Sequence, residues 1–373
     1  MILRPSGAGR WVKCPASAAL QNKFKDPATE RHPVTLEGIA AHWVAERVMN
    51  SWLPCNDLEH VEPRYFLGKA EPETGLLIDA DMIHGVNVYV RAVWERAHGN
   101  LASLEIEKQL TTHPRIEKNS GRCDALWSSP DGSRLTLWDF KFGYKPVRAF
   151  ENWQAINYAL AAITSKTETI EIVIVQPRGS SASDPVKTWE LSPVDFAPYA
   201  NRLTEAAAEA RTKSPGIKAG DHCYKCRAAH ACQTLRAEAD TAYEIGASPI
   251  PAEPSNAELA HALEQNDRAK SMLSARQDAL EGLAISRITE GEAIPGYEQK
   301  RGRSNRRWTN GAGIVNTGKL FDVDLTIKKP VSPNEAEARG LPRQVVDMFT
   351  ERVATAAKLV RSSRNESREI FRT

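Results

Sequence analysis

The spacing of apolar residues changes near residue 100, and this change constrains the fold more than any other feature of the sequence. Before it, residues 36–52 (LEGIAAHWVAERVMNSW) place Ile39, Trp43, Val44 and Val48 along one helical stripe. Residues 78–98 do the same with Ile83, Val86, Val90 and Val93. After it, 103–110 (SLEIEKQL), 121–129 (GRCDALWSS) and 134–142 (RLTLWDFKF) read as strands, the last two joined across Pro130-Asp131-Gly132, a turn signal. An amphipathic helix over 149–164, an apolar strand at 169–176, another strand near 186–192 and an Ala-rich helix over 194–213 follow. The order helix, three strands, helix, strand predicts an α/β core with a mixed central sheet flanked by helices.

The chain has 373 residues, and a prior of about 150 residues per domain predicts two or three domains. Residues 1–240 read as one domain ending in a cysteine cluster, and 241–256 as a linker containing the proline-rich stretch SPIPAEPSN. Residues 257–373 read as a mainly helical, basic C-terminal extension whose first element is a long helix over 256–290. Its leucines do not keep a strict heptad, so they do not specify a coiled coil. With 41% hydrophobic and 26% charged residues the composition is that of a globular protein rather than a disordered one. No apolar run reaches the about 18 residues of a membrane span, and the N-terminus lacks a signal peptide's apolar core. The expectation is a cytoplasmic protein with no membrane partner. Net charge is only +2, so any affinity for nucleic acid must come from local patches. One such patch is Lys300, Arg301, Arg303, Arg306, Arg307 and Trp308, where phosphate contacts and base stacking would combine. A solvated basic loop is the plainer reading of the same residues.

The chemistry concentrates in 121–142. Asp139 and Lys141 lie two apart on a strand and so share a face. Such a pair is usually a solvated surface pair. Here, though, the aspartate sits among Leu135, Leu137, Trp138 and Phe140, where an idle charge would be costly. With Asp124 on the adjacent strand, two carboxylates would converge on a divalent cation, Mg²⁺ or Mn²⁺, which would polarise a phosphodiester and acidify a bound water. Lys141 would orient that water or stabilise developing charge. Glu105 and Glu107 share a strand face; Glu107 could reach the metal, but a solvated strand edge is the preferred reading of both. Glu37 and Glu46 flank His42 on its helix, where either would hold the imidazole in its ligating tautomer. Cys223-x2-Cys226-x5-Cys232 packs three thiols into ten residues, which reads as a metal site needing a fourth ligand. Zinc closed by His222 or His230 is one solution, although His230 lies cramped against Cys232. Cys55 and Cys123 fit no ligand pattern.

Gly38-x3-His42, Gly121-x2-Asp124, Asp139-x-Lys141 with Gly143, and Gln154-x3-Tyr158 occur in that order. Together they resemble the PD-(D/E)XK nuclease superfamily, and more narrowly its RecB-type branch, which includes AddB-type and CRISPR-adaptation exonucleases. The resemblance covers roughly residues 10–235, and Trp138 before the Asp-x-Lys departs from it. It implies a restriction-endonuclease-like core with His42, Asp124 and Asp139 as metal ligands. It further implies Asp124, Asp139 and Lys141 as the catalytic set, and Gln154 and Tyr158 as substrate-side supports. It also implies a [4Fe–4S] cluster held by Cys14, Cys223, Cys226 and Cys232, with Zn²⁺ as the alternative, stapling the two ends of the core. No Walker motif (G-x4-G-K-[ST]) is present, as befits a stand-alone exonuclease rather than a helicase-nuclease. The layout is similar to an uncharacterised phage and prophage family. The expectation is therefore a metal-dependent DNA exonuclease that processes DNA ends in phage recombination or replication, inside a bacterial host. Its partners would be DNA and a phage single-strand-binding or annealing protein. A non-catalytic DNA-binding scaffold and an endonuclease are the alternatives.

Overall fold

In the computed structural model of the chain, the residues described are 2–24, 33–53, 61–111, 116, 119–178, 184–247, 252–300, 305–308, 311–321, 323, 325, 333–338, 340–353 and 358–361. Helices α1 (Ala8–Trp11), α2 (Ser17–Gln21), α3 (Pro33–Asn50) and α4 (Ala80–Ala97) precede the sheet. Strands β1 (Leu104–Thr111), β2 (Ser120–Ser128) and β3 (Arg134–Phe140) follow, then helix α5 (Trp153–Ala162) and strands β4 (Thr169–Val175) and β5 (Val186–Leu191). The five strands pair in sequence order. The β1–β2, β2–β3 and β4–β5 pairs are antiparallel, whereas β3 and β4 run parallel because α5 carries the chain back between them.

Helices cover both faces of this mixed sheet. Leu135, Leu137, Ile170 and Ile172 pack with α5, with α6 (Pro193–Glu209) and with the N-terminal Leu3 and Trp11. Trp138, Phe140, Val173 and Val175 pack on the other face with α3 and α4. β3 is therefore buried on both sides, which is why its sequence reads as a nearly continuous apolar run. Trp138 is fully buried on the α3–α4 face, opposite Asp139. At the far end of the sheet, Gly132 adopts φ +77° in the turn between β2 and β3, a conformation that favours glycine.

Helix α7 (Gln233–Ala247) and helix α8 (Asn256–Thr289) pack back onto the cysteine segment. One small core holds Cys223, Leu235, Ala242, Met272 and Ala275 together. The region expected as a linker over 241–256 is thus helical as far as Ala247, and a single core bridges it. The capping box at Ser255 and Glu258 starts α8. Beyond α8 helices alternate with short strands: Tyr297–Lys300 pairs with Lys358–Arg361, Asn305–Trp308 pairs with Thr350–Val353, and Ile314, Leu325, Ala336, Leu341 and Val346 form a separate core. Among the described residues no helix is long and apolar enough to cross a membrane.

Two glycines of the sequence motifs play different parts. A methyl on Gly121 would come within 2.8 Å of Pro5 and 3.1 Å of Tyr158, whereas one on Gly38 meets nothing within 4 Å. Gly121→Ala is therefore expected to cost about 1–3 kcal/mol by overpacking. Gly38→Ala, in mid-helix, should be neutral or stabilising by up to about 1 kcal/mol. Urea midpoints of the two variants, compared with the parent, check this; equal midpoints would contradict it.

Candidate metal centre

β2 and β3 stop pairing at Ala125 and Trp138. Beyond that point the strands part, and side chains take over the backbone groups of Phe140. Its N–H donates to Asp124 Oδ2 at 2.6 Å. Its carbonyl lies 3.0 Å from His42 Nε2. A carbonyl can only accept, so Nε2 carries the proton and Nδ1 is turned toward the carboxylates. Nδ1 lies 3.5 Å from Glu107 and 3.6 Å from Asp124. The three side chains each offer one ligand atom, and these atoms all lie within 4.8 Å of one another. One imidazole nitrogen and two carboxylates at that spacing suit a divalent cation such as Mg²⁺, Mn²⁺ or Zn²⁺.

Glu107, which the sequence left open between a metal ligand and a solvated edge, is the third member. It was expected at a solvated edge with Glu105. Only Glu105 fits that description: it pairs with Lys108 and its side chain is 43% exposed. The register of β1 and β2 places Glu107 opposite Asp124, between the pairs Ile106–Ala125 and Lys108–Cys123. Its backbone sits at φ +48°, in the left-handed region, which takes the carboxylate off the face it would share with Glu105. That conformation costs a non-glycine residue about 1–3 kcal/mol and concentrates at functional sites.

Asp139 lies beside the group rather than within it. Its Oδ1 accepts from Lys141 Nζ at 2.8 Å and from Gln154 Nε2 at 3.1 Å. Oδ2 is buried and takes no hydrogen bond of good geometry, only an ion-pair contact with Lys141 at 2.7 Å. Gln154 also faces Lys141 at 3.5 Å and hydrogen-bonds Tyr158, so the α5 pair supports the Asp-x-Lys couple. The tyrosine hydroxyl, 4% exposed, is pushed up by burial. Glu37 does not hold His42; it pairs with the buried Arg178, which also binds Asp81 at 2.7 Å and stacks on Phe142. The Phe140 carbonyl holds the imidazole instead. Glu46 lines the surrounding cleft.

The electrostatics follow from crowding. Burial pushes Asp124 and Asp139 up, against the pull of His42 and Lys141. Burial alone would depress His42, but Asp124 and Glu107 outweigh it and hold the imidazole at about 9. Lys141 is raised because Asp139 and Asp124 outweigh its burial. Three carboxylates thus face one ammonium and one imidazole. A divalent cation beside a neutral imidazole would balance them, so the donor set fits a metal. The cleft above the group has a volume of about 660 Å³. A larger hollow of about 830 Å³, lined by Trp52, His84 and Trp94, contains none of these groups.

The structure also brings Cys14 to the trio. Cys14, Cys223, Cys226 and Cys232 line one small cavity. Burial pushes Cys14, Cys223 and Cys226 up, Cys223 to about 11, and neighbouring thiols add to the shift. Arg10 clamps the segment by donating to the His222 carbonyl at 3.0 Å and the Tyr224 carbonyl at 2.8 Å. His222 faces the Lys218 carbonyl and Asp221 with its two nitrogens, and His230 packs edge-on against Phe24. Both nitrogens of His222 are thus engaged, and Cys14 lines the same cavity as the three clustered cysteines. Cys123 is buried in the sheet, with its thiol 3.4 Å from the Ala125 carbonyl, and Cys55 lies outside the described residues.

Of the basic patch, Lys300 is exposed at a strand end and pairs with Glu298 at 2.9 Å. Arg306, Arg307 and Trp308 lie on a strand whose side chains are outside the description, and Arg301 and Arg303 lie outside the described residues.

Two comparisons bear on kinship. A family model described as "Protein of unknown function (DUF2800)" matches residues 1–364. Among solved structures, one titled "Crystal structure of SSO0001" is similar at 13% identity and a TM-score of 0.30, over 62% of this chain and 85% of that one.

If Glu107 is a ligand, Glu107→Gln should weaken Mn²⁺ binding by at least about tenfold in titration calorimetry, while Glu105→Gln leaves it unchanged. Glu107→Gly should also lose the metal, yet melt no lower than the parent, because it relieves both the left-handed strain and the carboxylate crowding. Full Mn²⁺ affinity in Glu107→Gln would remove this residue from the centre.

Proposed function

We propose that this chain, which belongs to the DUF2800 family of proteins of unknown function, is a metal-dependent DNA exonuclease built on a PD-(D/E)XK core of the RecB type. The observation that carries the reading is the convergence of His42, Glu107 and Asp124 on the parted end of β2 and β3, beside the Asp139–Lys141 couple. Hydrolysis of a phosphodiester needs a site that binds a divalent cation and a cation of the protein's own beside it. Both are supported by residues here.

His42, Glu107 and Asp124 would hold Mg²⁺ or Mn²⁺, with Asp139 completing the acidic wall. When bound, the ion supplies Lewis-acid polarisation of the phosphoryl oxygens and acidifies water. His42 gives its proton-bearing Nε2 to Phe140, which leaves Nδ1 as donor and fixes the ring. Asp139 holds Lys141 so that the ammonium points into the cleft, where it stabilises charge developing on the phosphate. Gln154 orients Asp139 through its amide, and Tyr158 in turn orients Gln154.

The four thiols support a [4Fe–4S] cluster as a structural staple between Cys14 and the segment 223–232. The staple would close a loop of about two hundred residues and so restrict the unfolded chain.

Digestion of end-labelled linear DNA and closed circular DNA with Mg²⁺ or Mn²⁺ tests the reading, using anaerobically purified protein. The linear substrate should be lost and the circle spared, with Lys141→Ala slower by about 10²–10³-fold. A cut circle would indicate an endonuclease, and tight DNA binding without Lys141-dependent cleavage a scaffold. Metal analysis of the same preparation should give iron, lost with loss of thermal stability in Cys14→Ser. Stoichiometric zinc would replace the cluster assignment.

A further inference from the structure

The carboxylate-rich centre poses a problem for a polyanionic substrate. Glu107, Asp124 and Asp139 repel the phosphates that the cleft must admit, so cations at its rim have to offset them. Lys141 is committed to Asp139. The rim offers two further ammonium groups, Lys145 and Lys225, both exposed and both lining the cleft that contains His42 and Glu107. Among the described residues neither has a carboxylate partner.

These two lysines come from distant parts of the chain. Lys145 follows β3, in the loop that leads to α5. Lys225 lies between Cys223 and Cys226. Tyr224 joins them: Lys145 Nζ sits 3.5 Å from the centre of its ring and Lys225 Nζ 5.5 Å. The Tyr224 ring is 38% exposed and Tyr144 is 57% exposed, so the rim presents two aromatic rings as well as two cations. Arg178, buried under this rim, lies 5.3 Å from the Tyr144 ring. The loop that carries Tyr224 and Lys225 is held by Arg10, which donates to the Tyr224 carbonyl, and its backbone is left-handed at Lys225 (φ +55°). Such a conformation is rare for a side chain of this kind and tends to be kept where it positions something.

Resting on the nuclease reading above, we infer that the Cys223–Cys226 loop is part of the substrate site: Lys225 and Tyr224, with Lys145 and Tyr144, grip a nucleic-acid strand at the entrance to the metal centre. The lysines contact phosphates, the rings stack on bases or sugars, and the cysteine centre acts as the mount that keeps half of this grip in register with the other half. Alternating cations and rings are the means by which proteins hold a strand without reading its sequence.

The test is fluorescence anisotropy of labelled (dT)20 with the full, cluster-loaded chain, Ca²⁺ replacing Mg²⁺, over a range of salt. Lys145→Ala and Lys225→Ala should each weaken binding by roughly three- to tenfold, and each should lower the slope of log K against log salt by about 0.7, the value for one lost contact on a single strand. Lys225→Arg should restore both quantities. Tyr224→Ala should weaken binding while Tyr224→Phe retains it. Lys166→Ala, at the opposite end of the sheet, should change neither affinity nor slope and controls for net charge. Wild-type affinity and slope in Lys145→Ala and Lys225→Ala, from a parent that binds and degrades DNA, would overturn this inference and leave the nuclease reading standing. A parent that neither binds nor cleaves DNA would overturn both.

Discussion

The candidate site depends on one peptide. Where β2 leaves β3, the N–H and C=O of Phe140 lose strand partners on that side and are taken by Asp124 and His42. On the other side β3 stays anchored, since the Lys141 N–H donates to the Val175 carbonyl at 2.9 Å. The sheet is thus closed along one edge of β3 and open along the other. An open edge buried inside a protein must be satisfied by something, and here polar side chains satisfy it. That requirement puts a carboxylate and an imidazole next to Asp139 and Lys141, which flank Phe140 in sequence.

The cost of this arrangement is electrostatic. Burial disfavours the charge on two of the three carboxylates crowded here, and the upward shifts of Asp124 and Asp139 express it. His42 and Lys141 relieve it only in part, both being held in their charged forms by the acids around them. A divalent cation would relieve it more fully, since it brings two charges to the point where the oxygens already converge. Glu107 adds backbone strain to the same account. A site that stores both kinds of unfavourable energy is built for occupancy rather than for the stability of the sheet alone.

The cysteine segment has a comparable double role. Arg10 and Lys13 tie it to the N-terminal helices, and its small core joins it to α7 and α8. It also reaches the rim of the cleft through Tyr224 and Lys225. The ends of the core are thereby joined next to the chemistry, so what stabilises the fold also fixes one wall of the site.

Much of this was legible in the residues. The change of apolar spacing located every strand of the main sheet to within two residues. The burial of Asp139 followed from its apolar neighbours, because a charge in such a strand needs a reason. The local pattern also placed Gln154 and Tyr158 on one helix face, where Gln154 reaches the Asp-x-Lys couple and Tyr158 reaches Gln154. Glu107 was legible only as one of two candidates: strand alternation pairs it with Glu105, and the left-handed backbone of Glu107 against β2 is what separates them. The partner of Glu37 was not legible, since Arg178 lies far along the chain and meets it only when the segment after β4 reaches α3. The sequence by itself determined the elements and the residues able to do chemistry, because spacing and side-chain type are local properties. Which carboxylates converge, which groups of Phe140 they take and which loop reaches the cleft were decided by tertiary structure alone, because each depends on contacts between segments the chain keeps far apart.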